Sequence, residues 1–442
     1  MTDPHFLRDF YRALADRPLE PDDSLYVDLY HDTALAPFDP VGQLATGIEW
    51  TPEGSTHLFS GFRGTGKSTE LRRLRARLLR DPTTKVVLCD MSETLNLSTP
   101  VDISDFLIAL AGAFGDALHG DDQLLGPEPR LPSYWTRVVD FLTRTEIDLH
   151  GLALKAPGGV GLQTNIRQDP TFRDRLRERM EGHLGALVDD VHAYVAEGIT
   201  ALRQRWGEAT RVVLLLDSIE QIRGTSIRTA EGVYASVEAL FANHASSLCF
   251  ADLHVVYTVP PWLKIRSPGI AGAYGGMQLL PCVRVRSRDG RPDTTALDAL
   301  ERLVRRRGDW QTLLGERERL DRLSLMSGGY LRDLFRLLQS VLRLARDQPL
   351  PVADDVLDNA IAEVRNSYLP LPREDARWLA EIQGHQSTGL DHHQASPDRK
   401  SLYHLSRFFD THMVLCYRTR SDWFDVHPLL RDEVVRQVGP SQ

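Results

Sequence analysis

Gly61-Phe62-Arg63-Gly64-Thr65-Gly66-Lys67-Ser68 fits G-x-x-x-x-G-K-[ST] without a gap, and Thr69 follows at once. Such a loop cradles phosphate. Its glycines let the backbone fold back with N–H groups pointing inward, and the start of the next helix adds a positive dipole end. Lys67 is expected to reach the terminal phosphates and Ser68 to offer its hydroxyl to Mg²⁺, with Arg63, Thr65 and Thr69 in the same binding stretch. The flanks suit this chemistry, because the apolar run HLFS leads into the loop and a helix-forming run leaves it.

A second chemistry-bearing stretch is RVVLLLDSIE, Arg211 to Glu220. Five consecutive apolar residues describe a central parallel strand buried on both faces, delivering Asp217 to its carboxyl end. Ligands bind outside the carboxyl ends of such strands. Asp217 is therefore expected beside the loop as the second Mg²⁺ residue; a turn aspartate capping the next helix is the alternative. Glu220 is expected to orient and polarise an attacking water. Thr258, ending LHVVYT, is placed to report on a γ-phosphate or else only to turn the chain into Val259-Pro260-Pro261.

The elements that must position these residues follow from periodicity. Phe6 to Leu14 has helical spacing, and the proline- and acid-rich PLEPDDSLYVDLYHDTALAPFDPVGQL then reads as an extended strap. Glu70 to Arg80 continues a helix whose leucines face inward and whose arginines form a solvated face. KVVLCD is a buried strand, and Asp102 to Ser104 starts a helix carrying Phe106, Leu107, Leu110 and Phe114. Strand, loop, helix, strand, helix is the opening of a parallel sheet with crossover helices. Between about 120 and 210 an insertion interrupts it. This contains a helix at Tyr134–Leu142, a hairpin turning at Pro157-Gly158-Gly159, and one long helix from Thr171 to Trp206. Leu253–Thr258 and Val283–Val285 complete five strands.

Beyond a boundary at Ser287–Thr294, Ala296 to Arg346 is helical, broken at Met326-Ser327-Gly328-Gly329. YLRDLFRLL then sets Arg332 and Arg336 four apart on one face, and Arg332 is a candidate to be presented to a nucleotide from a helical lid. The C-terminal part reads helix, helix, hairpin (Met413–Tyr417 with Trp423–Val426), which is a winged-helix order. His385, His392 and His393 lie in a solvated loop rather than a metal set. The expected fold is α/β: a P-loop NTPase parallel sheet with crossover helices, then a helical lid and a C-terminal winged-helix domain. The boundaries are 1–50 for the N-terminal helix and strap, 51–290 for the core with its insertion, 291–370 for the lid and 371–442 for the winged helix.

Composition narrows the function classes. With 52 Lys and Arg against 61 Asp and Glu, the net charge of −9 excludes a generic polyanion binder. Cys89, Cys249, Cys282 and Cys416 are far apart and form no C-x-x-C pair, so they read as reduced core residues. No stretch approaches the length of a membrane span or a secretory signal, and a cytoplasmic protein is expected.

The phosphate loop, the strand ending at Asp217, the polar strand end at Thr258, the SGGYLRDL helix and the terminal winged helix together resemble AAA+ and STAND-type P-loop ATPases. The likeness is to bacterial members related to origin-recognition ATPases, many of which act in antiviral or other conflict systems. The resemblance implies ATP and Mg²⁺ as cofactors. It makes Lys67 and Ser68 phosphate and metal residues, Asp217 the second-motif acid, Thr258 the first sensor and Arg332 the second. Members of this group place a glutamate directly after the metal-binding aspartate, whereas Ser218 stands there in this chain and Glu220 is the nearest acid. Slow hydrolysis and a switch follow from that departure. The resemblance also implies a homo-oligomer, with Arg223, Arg228 and Arg266 as open choices for an arginine finger. A separate effector protein is the expected partner. The rival reading is a DNA-binding ATPase, an initiator, loader or transposition regulator. Residues 373–442 hold nine Lys and Arg and ten Asp and Glu, which weighs against that rival, and Arg418 with Arg420 is the basic pair a wing would bring to DNA.

Overall fold

The computed structural model describes residues 4–30, 39–120, 124–125, 131–144, 164, 166, 168–180, 182–222, 227–388 and 399–439. They form two compact units. One comprises Val41–Gly61 and Arg73–Leu279; the other comprises Met1–Pro40, Phe62–Arg72 and Leu280–Gln442.

The first unit is built on a sheet of β1 (Thr56–Gly61), β2 (Thr84–Asp90), β3 (Arg211–Asp217), β4 (Leu253–Val259) and β5 (Met277–Leu280). The spatial order is β2-β3-β4-β1-β5, and β2, β3, β4 and β1 pair in parallel. β1 and β4 are buried at every residue, as strands covered on both faces of a parallel sheet are. The register pairs Phe59 with Thr258 and Leu216 with Tyr257, so the carboxyl ends of β1, β4 and β3 lie level. The helix Ile103–Gly120 is buried along most of its length and meets the helix Leu184–Trp206 closely. At Gly115 an added Cβ would stand 2.3 Å from the Tyr194 hydroxyl, so no side chain fits between the two helices.

Several expectations are corrected here. A helix occupies Pro40–Trp50, where the sequence pattern suggested the end of an extended strap; Pro40 at its first position is pre-set for helical φ. The long helix expected from Thr171 to Trp206 is two, Pro170–Met180 and Leu184–Trp206, with Gly182 at φ +86° in the left-handed conformation that ends helices. The hairpin around Pro157–Gly159 lies outside the described residues. Val283–Val285 is not a strand of the sheet. The edge beside β1 is taken a few residues earlier, where Gly275 N donates to Thr56 O at 2.6 Å and Leu58 N donates to Gly276 O at 3.0 Å.

At the amino end of the sheet, Ser55 Oγ lies 3.0 Å from His57 Nε2 and 2.8 Å from His254 Nδ1. The hydroxyl has one proton, so it can donate to only one of the two rings and must accept from at least one of them. Burial, helped by Arg211 and His57, pulls His254 down to about 4. An unfolded histidine binds its proton below about 6.5. Between these values the unfolded chain holds more protons, so stability falls as pH falls through that window. The expected loss is about 3 kcal/mol. Urea unfolding from pH 7 to pH 4 checks this: His254→Asn should flatten the profile by that amount, and an unchanged slope would refute it.

The second unit begins with the helix Pro4–Ala13, whose Phe10 fills the space over Gly308, where a Cβ would meet the ring at 2.3 Å. Helices follow at Thr294–Arg305, Trp310–Leu314, Arg317–Met326, Leu331–Leu344 and Asp354–Asn366. Asp293 caps the first of these by accepting from Ala296 N. The C-terminal part has helices Arg373–His385 and Arg399–Asp410, the antiparallel pair β6 (Val414–Arg418) and β7 (Asp422–Val426), and a last helix Arg431–Val438. This is the winged-helix order. Gly328 and Gly329 sit at φ +62° and +71°, and a Cβ on Gly329 would fall 1.8 Å from Val283 O. Val283 N donates to Gly329 O at 3.1 Å, and Cys282 N to Cys416 O at 2.9 Å. The segment read as a final strand thus pairs its backbone with the helical break and the wing. Among the described residues, no helix is long and apolar enough to cross a membrane.

Candidate functional site

In the first unit, β3 delivers Asp217 to its carboxyl end, 6% exposed, where Oδ1 accepts from Ser218 N at 2.8 Å. Ser218 is left-handed at φ +71°, a conformation that costs a non-glycine residue about 1 kcal/mol and that recurs at functional sites. This turn swings the chain into the short 3₁₀ segment Ile219–Gln221, which carries the buried Glu220. Thr258 is fully buried on the neighbouring strand. Its hydroxyl donates to Leu216 O and accepts from Ile219 N, each at 3.1 Å. The one hydroxyl proton is therefore engaged in bracing the Asp217 turn. Asp217, Glu220 and Thr258 are brought together as one cluster at adjacent strand ends.

In the second unit, the phosphate loop runs straight on from β1. Gly64 and Gly66 lie at φ +87° and +95°, so the loop curls through conformations that glycine alone adopts freely. Phe62 O is its organising acceptor: Thr65 Oγ1 donates to it at 2.8 Å and Lys67 Nζ at 2.7 Å. A Cβ on Gly66 would meet nothing within 4 Å, leaving open space for a ligand over the loop. The helix Lys67–Leu78 starts directly after it, with Glu70 N donating to Gly66 O.

Arg332, in the SGGYLRDL stretch, lies against this loop. A Cβ on Gly64 would lie 2.7 Å from Arg332 Nε, and the preceding Tyr330 donates its hydroxyl to Arg63 O at 2.5 Å. Arg336, expected on the same face, instead binds Asp333 and Ser367 Oγ. The carboxylate that Arg332 meets is Asp16, with Nε at 2.7 Å and Nη2 at 2.6 Å. Burial opposes the Arg332 charge, yet Tyr330 and Asp16 raise its pKa further.

A cleft opens beside the loop. Leu25, Tyr26 and Val27 of the strap line it together with Gly64, Thr65, Gly66, Thr69, Arg307 and Phe335. Arg307 pins the strap by donating to Leu25 O at 3.1 Å while its guanidinium lies 4.8 Å from the Phe335 ring centre. Burial pulls Arg307 down to about 10. An apolar and aromatic wall with a few convergent polar groups is the general form of a small-molecule pocket.

Phe62, an unspecified position of the motif, stacks on Phe409 of the C-terminal domain with ring centres 5.6 Å apart. His412 lies against Phe62 at 5.9 Å and stacks on Tyr330 at 4.8 Å. Burial, with Arg332 adding to it, holds His412 down to about 3. The motif spacing could not reveal Asp16, Tyr330, Phe409 or His412, because each acts through a contact more than forty residues away in sequence; the aromatic strap was the one local signal.

The arginine-finger choices narrow. Arg266 is bound by Glu238 at 2.8 Å and by both oxygens of Glu231 at 2.9 and 3.1 Å, with its side chain 5% exposed. It is a structural cation rather than a free finger. Arg223 and the side chain of Arg228 lie outside the described residues. Arg418 in the wing is tied to Asp422 at 2.6 Å. His385 ends a helix, His392 and His393 lie outside the described residues, and among the described residues no three His, Cys, Asp or Glu gather as a metal site.

No protein-family profile matches the chain, and no curated protein sequence does. Among solved structures it is similar to Cdc6p from Pyrobaculum aerophilum, at 13% identity over 96% of this chain and 97% of that one, with a TM-score of 0.40. It is also similar to a Walker-type ATPase of Pyrococcus abyssi, at 13% identity over 96% and 99% of the two chains, with a TM-score of 0.40. A third is the Aeropyrum pernix Orc1 protein in complex with DNA, at 14% identity over 97% and 98%, with a TM-score of 0.40.

Proposed function

We propose that this chain is an ATP-binding and ATP-hydrolysing molecular switch that couples nucleotide state to self-assembly or to a separate effector, with antiviral defence as its setting. The observation that carries the reading is the stack of Phe62 on Phe409, because it joins the phosphate loop directly to the C-terminal domain. A loop that closes on phosphate cannot move without disturbing that contact or the Tyr330 bond to Arg63 O. Packed elements of this kind respond in discrete steps rather than by continuous deformation.

In this reading the loop N–H groups and Lys67 hold the β- and γ-phosphates and Arg332 takes a terminal phosphate oxygen. Ser68 and Asp217 are the Mg²⁺ residues, and the ion when bound supplies neutralisation of phosphate charge. Glu220 orients the water for in-line attack on phosphorus, with ADP leaving. Thr258 serves this step by bracing the Asp217 turn. Glu220 stands where a directly adjacent glutamate is absent, which favours slow turnover and a long-lived ATP state.

Light scattering on wild type and Glu220→Gln, with ATP and Mg²⁺, tests the switch. The expected result is nucleotide-driven assembly without DNA, more persistent in Glu220→Gln. Assembly only when duplex DNA is present would replace this reading with the DNA-binding ATPase, and no change in mass under either condition would remove both.

A further inference from the structure

Three contacts hold one short stretch of the N-terminal segment against the machinery just described. Asp16 takes both Nε and Nη2 of Arg332, Leu19 N donates to Thr69 Oγ1 at 3.1 Å, and Glu20 pairs with Arg72 at 3.0 Å. Thr69 and Arg72 lie on the helix that leaves the phosphate loop, and Arg332 lies over Gly64. Asp16 lines the same cleft as Gly64 and Gly66. Both bonds run to one oxygen, Oδ2, so the carboxylate meets Arg332 as a single anionic acceptor of the kind that one phosphate oxygen would also supply.

From this geometry we infer that Asp16 is an internal competitor for Arg332: a phosphate arriving over Gly64 exchanges with the carboxylate and releases the Asp16–Glu20 stretch. The inference rests on the reading of the loop as a nucleotide site. The balance of forces permits the exchange. Asp16 is 58% exposed and Arg332 26%, so solvent weakens their pairing, while a phosphate tail brings several negative charges to the same guanidinium. The helix before the strap stays docked through Phe10 and Leu14, 2% and 1% exposed, so release is local to the stretch between that helix and the loop. The result is an autoinhibitory contact: the strap is closed while Arg332 holds a carboxylate and open while it holds a phosphate.

The test is calorimetric ATP binding by the full chain, comparing wild type, Asp16→Asn, Arg332→Ala and the double variant, with Lys67→Ala as the control for the nucleotide site. Removing an exposed charge leaves the fold in place. Asp16→Asn is expected to tighten ATP binding about tenfold, within the range usual for coupled sites. The gain should vanish in the Arg332→Ala background. Proteolysis within 16–20 should become faster in Asp16→Asn without nucleotide, and in wild type only with it. ATP binding that Lys67→Ala abolishes but Asp16→Asn leaves unchanged or weakens would overturn the latch and spare the nucleotide site. Absence of ATP binding by wild type would overturn both.

Discussion

Lys67→Ala is expected to weaken ATP binding about 100-fold, roughly 2.7 kcal/mol, the scale of removing one member of a buried charged hydrogen-bonded pair. Lys67 is 3% exposed, and its ammonium is already aimed along the loop by its bond to Phe62 O. The fold should survive, because Phe62 O still accepts from Thr65 Oγ1 after the lysine is gone. Loss of one neutral acceptor's partner costs about 1 kcal/mol. Calorimetric titration with ATP, beside urea unfolding of the same variant, separates the two effects. Wild-type affinity in Lys67→Ala would end the nucleotide reading, whereas a collapsed fold would mean the lysine is a core cation.

A larger structural effect is expected at Asp333. Its side chain has no exposure, yet it accepts from Tyr368 at 2.6 Å and from Arg336 at 2.9 Å, and His427 Nε2 faces it at 3.2 Å. His427 Nδ1 accepts from Leu429 N, so the ring's proton must sit on Nε2, towards the carboxylate. Burial alone would raise the Asp333 pKa; the bond from His427, followed by the bond from Tyr368 and the charge of Arg336, overrides it and holds the carboxyl well below the usual range. Asp333→Ala strands the buried His427 Nε2 and the half-buried Tyr368 hydroxyl, while Arg336 keeps Ser367 Oγ, and should cost about 3 kcal/mol, a large share of the 5–15 kcal/mol that holds a typical domain. Urea unfolding measures it. A change below about 1 kcal/mol would show that water replaces the carboxylate without penalty. Because Asp333 follows Tyr330 and Arg332 in the same helical turn, the network also fixes how that turn meets the phosphate loop.

What could be read from residues alone was whatever local chemistry dictates. The loop Gly61–Ser68 announces itself because glycines at 64 and 66 serve positive φ, and a hydrogen-bonding lysine and serine must follow at fixed distance. β3 is legible because apolar residues without alternation mean burial on two faces, and its acid then falls at the carboxyl end. The break at Gly328-Gly329 and the β6–β7 pair follow from turn and alternation rules that operate within a few residues.

Tertiary structure decided what depends on which surfaces meet. Val283 has strand character, but its N–H goes to Gly329 because only a glycine lets the backbones approach there. Arg266 and Arg332 are alike in sequence, yet one is enclosed by two glutamates and the other lies over Gly64. Asp16 carries no motif at all, and its bearing on Arg332 arises from a contact 316 residues away. Phe62 occupies a position that the loop pattern leaves free, and Phe409 gives it a partner. Local sequence sets backbone geometry and burial, whereas the partner of a charge or a ring is set by the packing of distant elements, which no spacing rule encodes.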